Sequence, residues 1–456
     1  MSNTRAGRRR GGAGLAAVIS LAVLLAFAGR AGAEDIGQIA VIEDTTGQIL
    51  PASGRCNRLM YPNALCSPRG GEAFYATHPD NYDILIFVTN KSIPVSEKAG
   101  YPLQADVHGI GQDTVPWSYA HFGSAGRLLQ ALDLGALQTM PDDPAGIFSF
   151  IPISGLEVVG HEIGHHWLAY ADVDLGDGRG RLDILRGYRD PSPITHWSCR
   201  FNSDSVMYGG MLTDNGDGSF TDIAGPRKFS LFDQYLMGLR APEEVGPLWY
   251  VAEGGSLHGC QDWPQERGVA HDITGERVDF TVDDVIRALG PRDPPTSPCH
   301  YKVAFVFVHR PGEPPTPEDL DKFDRYRVAL ETWYAWATDD RGSLDTRLDG
   351  CGTGTAGCPG EPTPGCEIVA DDDDAGSDAD ADLDAEGEAE AAADADDVVD
   401  AADTRDDAGR PDGSTGDDDG GGCGCRVVGP SSASAMICMA FVLLALLRRR
   451  SHKKSN

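Results

Sequence analysis

The sequence contains few basic residues for its length. Lysine and arginine together number 38, against 70 aspartates and glutamates, and the formal net charge of the 456-residue chain is −32. Proteins that bind nucleic acids present a basic patch or stripe to the phosphate backbone. This chain has no such surplus, and we therefore expect no nucleic-acid partner.

Cysteine pairs of the kind that bind zinc are also absent. None of the 11 cysteines lies in a CxxC pair with a matching partner, which argues against a zinc–thiolate site. Eight cysteines nevertheless lie between positions 34 and 366, and an even number suits disulfides in an exported protein. Cys56/Cys66 and Cys351/Cys358 are the natural local pairs, although spacing alone leaves the connectivity open.

Long apolar runs are confined to the two ends of the chain. Near the N-terminus, the basic residues Arg8–Arg10 precede an apolar run, Leu15–Phe27, and a small-residue cleavage site, Ala31-Gly32-Ala33. This order predicts a secretory signal peptide over residues 1–33. We therefore expect an exported protein, either secreted or held at the cell surface or outer membrane.

The segment 351–422 has the composition of a disordered linker. It begins with glycine and proline, and 23 of the 70 acidic residues lie between Glu367 and Asp419, where Arg405 and Arg410 are the only basic ones. Such a segment has too little apolar surface to offset its chain entropy, and its like charges repel one another. It predicts a solvated stalk between the body of the protein and the C-terminal tail.

The tail, residues 423–456, combines cysteines, an apolar run at Ala433–Leu447 and the basic cluster Arg448–Arg450. The run is shorter than the roughly 20 residues of a spanning helix, but its basic flank fits a membrane segment. The tail resembles the MYXO-CTERM sorting signal of myxobacterial surface proteins. The resemblance implies a membrane contact and processing by a sorting machinery at Cys425, with Cys423 as the second candidate.

The body, residues 34–350, mixes strand and helix patterns in irregular order, which predicts an α+β fold. Apolar runs predict strands, and apolar residues at helical spacing, some behind capping residues, predict helices. The strands are expected at Tyr82–Val88 and Val303–Val308, and the helices at Gly126–Met140, Ser154–Tyr170, Ser230–Leu239, from Thr281, and at Thr316–Thr338.

One segment has the pattern of a catalytic metal site. His161, Glu162 and His165 form an HExxH motif, and on a helix the two histidines would share one face and could bind one metal. Ser154 and Glu157 fit a capping box that would begin this helix. Glu162 would act as general base on a water whose pKa the metal lowers towards about 7. Two packed core histidines are the structural alternative.

The motif resembles that of the zincins, the HExxH zinc peptidases. The metzincin extension would need glycine at 168 and histidine at 171, where this chain has Leu168 and Ala171. Ser205-Val206-Met207-Tyr208 nevertheless resembles the Met-turn of that group. The resemblance implies a zincin-like fold over 34–350, a Zn²⁺ cofactor and an oxyanion-stabilising role for Tyr208.

The third metal ligand is less constrained by the sequence. His196 lies between the motif and the Met-turn-like segment, and its imidazole would complete a three-histidine site with one open position. Asp172 and Asp174, just after the predicted helix, are the alternatives, while Glu243 or Glu244 would serve poorly in a gluzincin arrangement. Two glycine–aspartate segments, Asp172–Gly178 and Thr213–Phe220, are typical of turns and only partly of Ca²⁺ loops.

The sequence therefore predicts an exported, surface-anchored zinc metallopeptidase that hydrolyses peptide bonds of a peptide or protein substrate. The alternative is a non-catalytic binding or adhesion module in which zinc is structural. The substrate and the oligomeric state cannot be predicted from the sequence.

Overall fold

A computed structural model describes residues 32–51, 65–90, 98–115, 117–149, 151–189, 192–252, 267–349 and 424–425. The predicted acidic linker lies outside these residues, as do the predicted signal peptide, except for Gly32–Ala33, and the C-terminal tail, except for Gly424–Cys425. No helix within the described ranges is long and apolar enough to cross a membrane.

The described residues form fifteen strands and five α-helices. The strands are β1 (Ala33–Ile36), β2 (Ile39–Glu43), β3 (Ile84–Thr89), β4 (Lys98–Pro102), β5 (Gln130–Ala136), β6 (Arg186–Arg189), β7 (Ser192–Trp197), β8 (Leu212–Asp214), β9 (Ser219–Ile223), β10 (Leu248–Ala252), β11 (Ala270–Thr274), β12 (Glu276–Phe280), β13 (His300–His309), β14 (Ser343–Asp345) and β15 (Gly424–Cys425). The helices are α1 (Ser67–Tyr75), α2 (Gly155–Gly164), α3 (Leu231–Leu236), α4 (Val282–Leu289) and α5 (Pro317–Ala337).

A mixed sheet of eight strands forms the centre of the fold. Its order is β1-β2-β13-β3-β5-β4-β15, and β14 pairs with β13. The four strands β2, β13, β3 and β5 run parallel, whereas β4 pairs antiparallel with β5 and with β15. The three smaller sheets pair β6 with β7, β10 with β12, and β9 with both β8 and β11. The fold is thus a mixture of α and β structure in which strands predominate.

The sequence of the central strands places a hydrophobic core on each face of the sheet. Side chains alternate between the faces of a strand. Ile84 and Ile86 of β3 therefore face one core, which also receives helices α2 and α5, while Leu85 and Phe87 face a second core against α1. Because both faces are covered, these strands are continuously apolar.

The predicted strands at 82–88 and 303–308 are confirmed, as are the helices that begin at Ser230, Thr281 and Thr316. The helix predicted at Gly126–Met140 is wrong: this segment forms β5 and a short 3-10 turn. All seven residues of β5 are buried between β3 and β4. A strand buried on both faces has apolar residues on both faces, and the apolar residues of such a segment can also fit helical spacing.

Disulfides form at three of the described cysteines, Cys66, Cys199 and Cys299. Cys66 is the residue that precedes helix α1, and Cys299 immediately precedes the central strand β13. Cys199 lies two residues after β7, so one bridge anchors the chain just beyond the segment that contains His196.

Candidate metal centre

The HExxH motif lies at the C-terminal end of helix α2. The capping box predicted for the beginning of this helix is present. Ser154 Oγ accepts from the Glu157 amide at 3.2 Å, and the Glu157 carboxylate accepts from the Ser154 amide at 2.6 Å. These bonds satisfy amide groups that the first turn of a helix would otherwise leave without partners. The helix ends at Gly164, earlier than Tyr170, the end that the sequence predicted.

His165 directly follows helix α2 but keeps helical backbone angles, and its amide donates to the His161 carbonyl at 3.3 Å. The two imidazoles therefore keep the i, i+4 relation that a shared metal requires. Beyond them, Ala169 adopts a left-handed φ of 65° and Tyr170 Oη donates to the His165 carbonyl at 2.7 Å. These features turn the chain away just after the second histidine.

His196 reaches the same place from the β6–β7 hairpin. Its Nε2 lies 3.1 Å from Nε2 of His161, and one nitrogen from each of His161, His165 and His196 lies within 4.8 Å of the others. Two nitrogens bound to one tetrahedral zinc at about 2.05 Å would be roughly 3.3 Å apart. Within the described residues, this is the only group of three or more His, Cys, Asp or Glu side chains close enough to share a metal.

A backbone carbonyl fixes the orientation of the first imidazole. His161 Nδ1 donates to the Val206 carbonyl at 2.8 Å, because a carbonyl oxygen can only accept. The proton is thereby held on Nδ1, and Nε2 presents its lone pair to the other two histidines. A ligand histidine anchored through its second nitrogen is the usual arrangement at metal sites.

The segment Ser205–Tyr208, hereafter the Met-turn segment, lies against the end of helix α2. Met207 is buried, and a Cβ on Gly164 would lie only 2.4 Å from its Sδ. Gly164 thus permits the side chain of Met207 to pack closely beneath the last turn of the helix.

The Tyr208 ring contacts two of the three histidine rings and stacks on that of His161. Its ring centroid lies 4.5 Å from that of His161, with an interplanar angle of 29°, and 4.6 Å from that of His196. Its φ of 71° is left-handed, a conformation that non-glycine residues adopt only where the surroundings enforce it. The tyrosine that the sequence singled out is therefore part of the centre.

Glu162 lies within the same buried cluster. Its Oε2 is 3.9 Å from Nε2 of His165, which is too long for a hydrogen bond. Its backbone carbonyl accepts from Gln130 Nε2 at 2.6 Å, and a Cβ on Gly100 of β4 would lie 2.1 Å from that carbonyl oxygen. Glycine at position 100 therefore allows strand β4 to run directly alongside the helix at the level of Glu162.

Burial controls the charge of the groups in this cluster. The pKa of His165 is held well below its usual 6.5, first by burial and then by the neighbouring His161 and His196. The imidazole is thus neutral, which is the form that binds metals. Burial also lowers the pKa of Lys98 to about 8, against the opposing effects of Asp133 and Glu162.

The alternative third ligands lie elsewhere. Asp172 forms ion pairs with Arg181 and with Arg186, and Asp174 accepts from the amide of Gly176. Neither belongs to the histidine cluster. Glu243 and Glu244 lie in a 3-10 turn, where Glu244 pairs with Arg341.

The two glycine–aspartate segments form turns, the interpretation that the sequence favoured. In the first, the Asp177 carboxylate accepts from the amide of Arg179 at 3.1 Å. In the second, which joins β8 to β9, Asp214 and Asp217 accept from the amides two residues further on. Aspartates that bond their own backbone in this way stabilise tight turns.

Several residues that build the centre could not be found from the sequence. The Val206 carbonyl and the Gln130 side chain reach it through non-local hydrogen bonds, with His161 Nδ1 and with the Glu162 carbonyl respectively. Asp233 does so as well: its carboxylate accepts from Trp197 Nε1 at 2.8 Å, next to His196, and burial raises its pKa to about 6. Its position three residues after Ser230 is typical of a capping box for helix α3 and gives no sign of this contact.

Comparisons with known proteins add no further identification. No protein-family model matches the chain, and no curated protein or solved structure matches it either.

Proposed function

We propose that this protein is an exported, surface-anchored zinc peptidase with a zincin-like catalytic domain over residues 34–350. The observation that carries the proposal is the convergence of His161, His165 and His196 beside Glu162. His161 and Glu162 lie in the last turn of helix α2, His165 directly follows that helix, and His196 comes from the β6–β7 hairpin. Three histidine nitrogens with a carboxylate beside them are the set of groups expected at a catalytic zinc site.

The chemistry of the cluster fits zinc. His165 is fully buried, and its two ring nitrogens have no hydrogen-bond partner in the described part of the chain. A buried polar atom in that state is costly unless a metal or another group satisfies it. Three imidazole nitrogens suit Zn²⁺, whereas Ca²⁺ and Mg²⁺ prefer oxygen ligands. A Ca²⁺ ion at Asp172–Gly178 or Thr213–Phe220 remains a separate prediction.

Each residue around the metal position would have a separate role in the reaction. Bound zinc would supply Lewis acidity, which lowers the pKa of water and polarises a carbonyl. Glu162 would accept the proton of the attacking water and donate it to the leaving amine. Tyr208 would donate a hydrogen bond to the developing oxyanion, and the Val206 carbonyl would hold His161 in its ligating tautomer.

Substitution of Glu162 tests the enzymatic proposal. The Glu162→Ala variant should keep its zinc, because Glu162 is not among the three proposed ligands, but should lose hydrolysis of a mixed peptide library by at least about 100-fold. Zinc content and cleavage are measured on the same preparation. A variant that cleaves at the wild-type rate would contradict the role of Glu162.

A binding or adhesion module with structural zinc is the second candidate, and the burial of the centre favours it. The exposed fractions of His161, His165 and His196 are 1%, 0% and 8%, and that of Glu162 is 0%. Structural zinc sites are closed by a fourth protein ligand. X-ray absorption of the zinc-loaded protein separates the two: an exchangeable oxygen as fourth ligand supports the peptidase, and a fourth protein ligand supports the binding module.

The sequence signals at the two ends support surface anchoring. Cys425 would be the processing site, and the apolar run after it would contact the membrane. Replacement of Cys425 by serine should leave the C-terminal segment attached, as mass spectrometry of the extracted protein would show. Normal processing of that variant would move the assignment to Cys423.

A further inference from the structure

A buried arginine donates hydrogen bonds to the first residue of the Met-turn segment and to Gly209, the residue directly after it. Arg227 is 1% exposed, and its Nη1 donates to the Ser205 carbonyl at 3.1 Å and to the Gly209 carbonyl at 2.9 Å. The two acceptors lie on either side of Val206, Met207 and Tyr208, the three residues that approach the histidines. One guanidinium group therefore sets the distance between the start and the end of this turn.

Lys228, the residue after Arg227, also binds the Met-turn segment, at Val206. The Val206 amide donates to the Lys228 carbonyl at 2.8 Å, and the Val206 carbonyl accepts from His161 Nδ1 at 2.8 Å. A path of direct hydrogen bonds thus runs from residues 227–228 through Val206 to a proposed metal ligand. A shift of Val206 would be passed on to the imidazole.

Arg227 is tied to the HExxH helix from the opposite side. Its backbone amide donates to Glu157 Oε1 at 2.7 Å, and the other carboxylate oxygen of Glu157 pairs with Arg267 and accepts from the Ser154 amide. Glu157 is itself part of the capping box of helix α2. The helix that carries His161 and the turn that orients it are therefore linked through one residue.

The turn requires such support because its backbone is strained. Asp204 and Tyr208 have left-handed φ values of 47° and 71°, and Gly209 has 81°. Non-glycine residues in this region cost about 1–3 kcal/mol each and persist only where neighbouring groups enforce them. The carbonyls that Arg227 binds lie on either side of Tyr208 in the chain, and the Tyr208 ring stacks on that of His161 and packs against that of His196.

Burial of this guanidinium is costly for the fold. Desolvation lowers the pKa of Arg227, although the carboxylates of Asp222, Asp204 and Glu157 oppose the effect. A solvent-exposed position would carry no such cost. Burial of Arg227 costs stability, yet its two hydrogen bonds hold the turn beside the histidines. Arg227 is therefore assigned to orientation of the centre rather than to stability alone.

We propose that Arg227 is a positioning residue of the metal centre: it holds the Met-turn segment so that the Val206 carbonyl fixes the tautomer and direction of His161. The inference rests on the proposed metal site, but its effect on His161 can be measured in metal-free protein. Groups that orient ligands from behind typically contribute 10–100-fold to metal affinity.

The test compares Arg227→Met with Arg292→Met in the full-length protein. Arg292 is a matched control, since it is 5% exposed and its guanidinium also donates to backbone carbonyls, those of Leu236 and Pro294, but to none in the Met-turn segment. Zn²⁺ affinity is measured by competition with a chromophoric chelator. We expect a 10–100-fold loss for Arg227→Met and a change of less than about threefold for Arg292→Met.

A second measurement does not depend on metal. In metal-free protein labelled with ¹⁵N-histidine, the nitrogen shifts of His161 should show a protonated Nδ1 in the wild type and in Arg292→Met, and a mixture of tautomers in Arg227→Met. If Arg227→Met does not fold, Arg227→Lys replaces it: lysine keeps the charge but not the fork, and zinc affinity should fall by about 3–10-fold.

Two results would overturn the inference. One is wild-type zinc affinity and a retained Nδ1 proton in a folded Arg227 variant. The other is an equal loss of affinity in both methionine variants, which would assign Arg227 to general stability. If the wild type binds no zinc, the proposed function fails, but the tautomer measurement still decides the role of Arg227.

Discussion

Replacement of Gly160 by alanine should destabilise the protein, although alanine is the better helix former. Gly160 precedes His161 in helix α2, and a Cβ at this position would lie 1.9 and 2.1 Å from two indole carbons of Trp333 on helix α5. Ordinary carbon contacts are about 3.5–4.0 Å. The indole would have to move by roughly 1.5 Å. Because the indole is rigid, this movement costs more than the same movement of the end of a flexible side chain.

The magnitude follows from two opposing terms. Alanine gains about 1 kcal/mol over glycine in a helix, while forcing an extra methyl group into a packed interior costs about 1–3 kcal/mol. The overlap at Gly160 lies at the upper end, and we therefore expect a net loss of about 2 kcal/mol. In a Trp333→Ala background the clash is absent, and Gly160→Ala should be neutral or stabilising by up to about 1 kcal/mol.

Urea denaturation of the wild type, both single variants and the double variant, followed by circular dichroism, measures this cycle. The expected coupling energy between Gly160 and Trp333 is about 3 kcal/mol. If Gly160→Ala alone stabilises the protein by the helix-propensity amount, then α2 and α5 do not approach each other closely at this position.

Two further predictions concern the centre and the sheet. His196→Ala should lower zinc affinity by more than about 100-fold, whereas His166→Ala, which removes a buried neighbour outside the cluster, should change it by less than about threefold; equal effects would place the third ligand elsewhere. Burial raises the pKa of Asp83 to about 6, so that the folded state binds the extra proton between about pH 4 and 6, and this carboxylate costs stability as the pH rises through that window. The stability of Asp83→Asn relative to wild type should therefore increase by about 2–3 kcal/mol from pH 4 to 7, measured by denaturation at each pH; a pH-independent difference would contradict the shift.

Local features of the centre could be predicted from the sequence because they depend on residues close in the chain. The capping box of Ser154 and Glu157 and the i, i+4 spacing of His161 and His165 both follow from helix geometry. The end of this helix was misplaced because Gly164 and the left-handed Ala169 stop it, while the apolar pattern continues through Trp167.

Non-local features were harder to predict. The resemblance to a Met-turn predicted that Met207 lies near the centre. The hydrogen bond from His161 to the Val206 carbonyl and those from Arg227 to the Ser205 and Gly209 carbonyls could not be predicted, because they join segments that are distant in sequence. The helix predicted at the segment that forms β5 is wrong for a related reason: the two hydrophobic cores cover both faces of this strand, so the alternation typical of a half-exposed strand is lost.

The metal content of the wild-type protein tests the central claim most directly. The full-length protein would be purified without a histidine tag or chelator, and its transition metals quantified by mass spectrometry. The proposed site predicts close to one zinc per chain, reduced to near zero in His196→Ala. A folded wild-type protein that contains no transition metal and takes up none from added Zn²⁺ would contradict the account and leave His161, His165 and His196 as packed core residues.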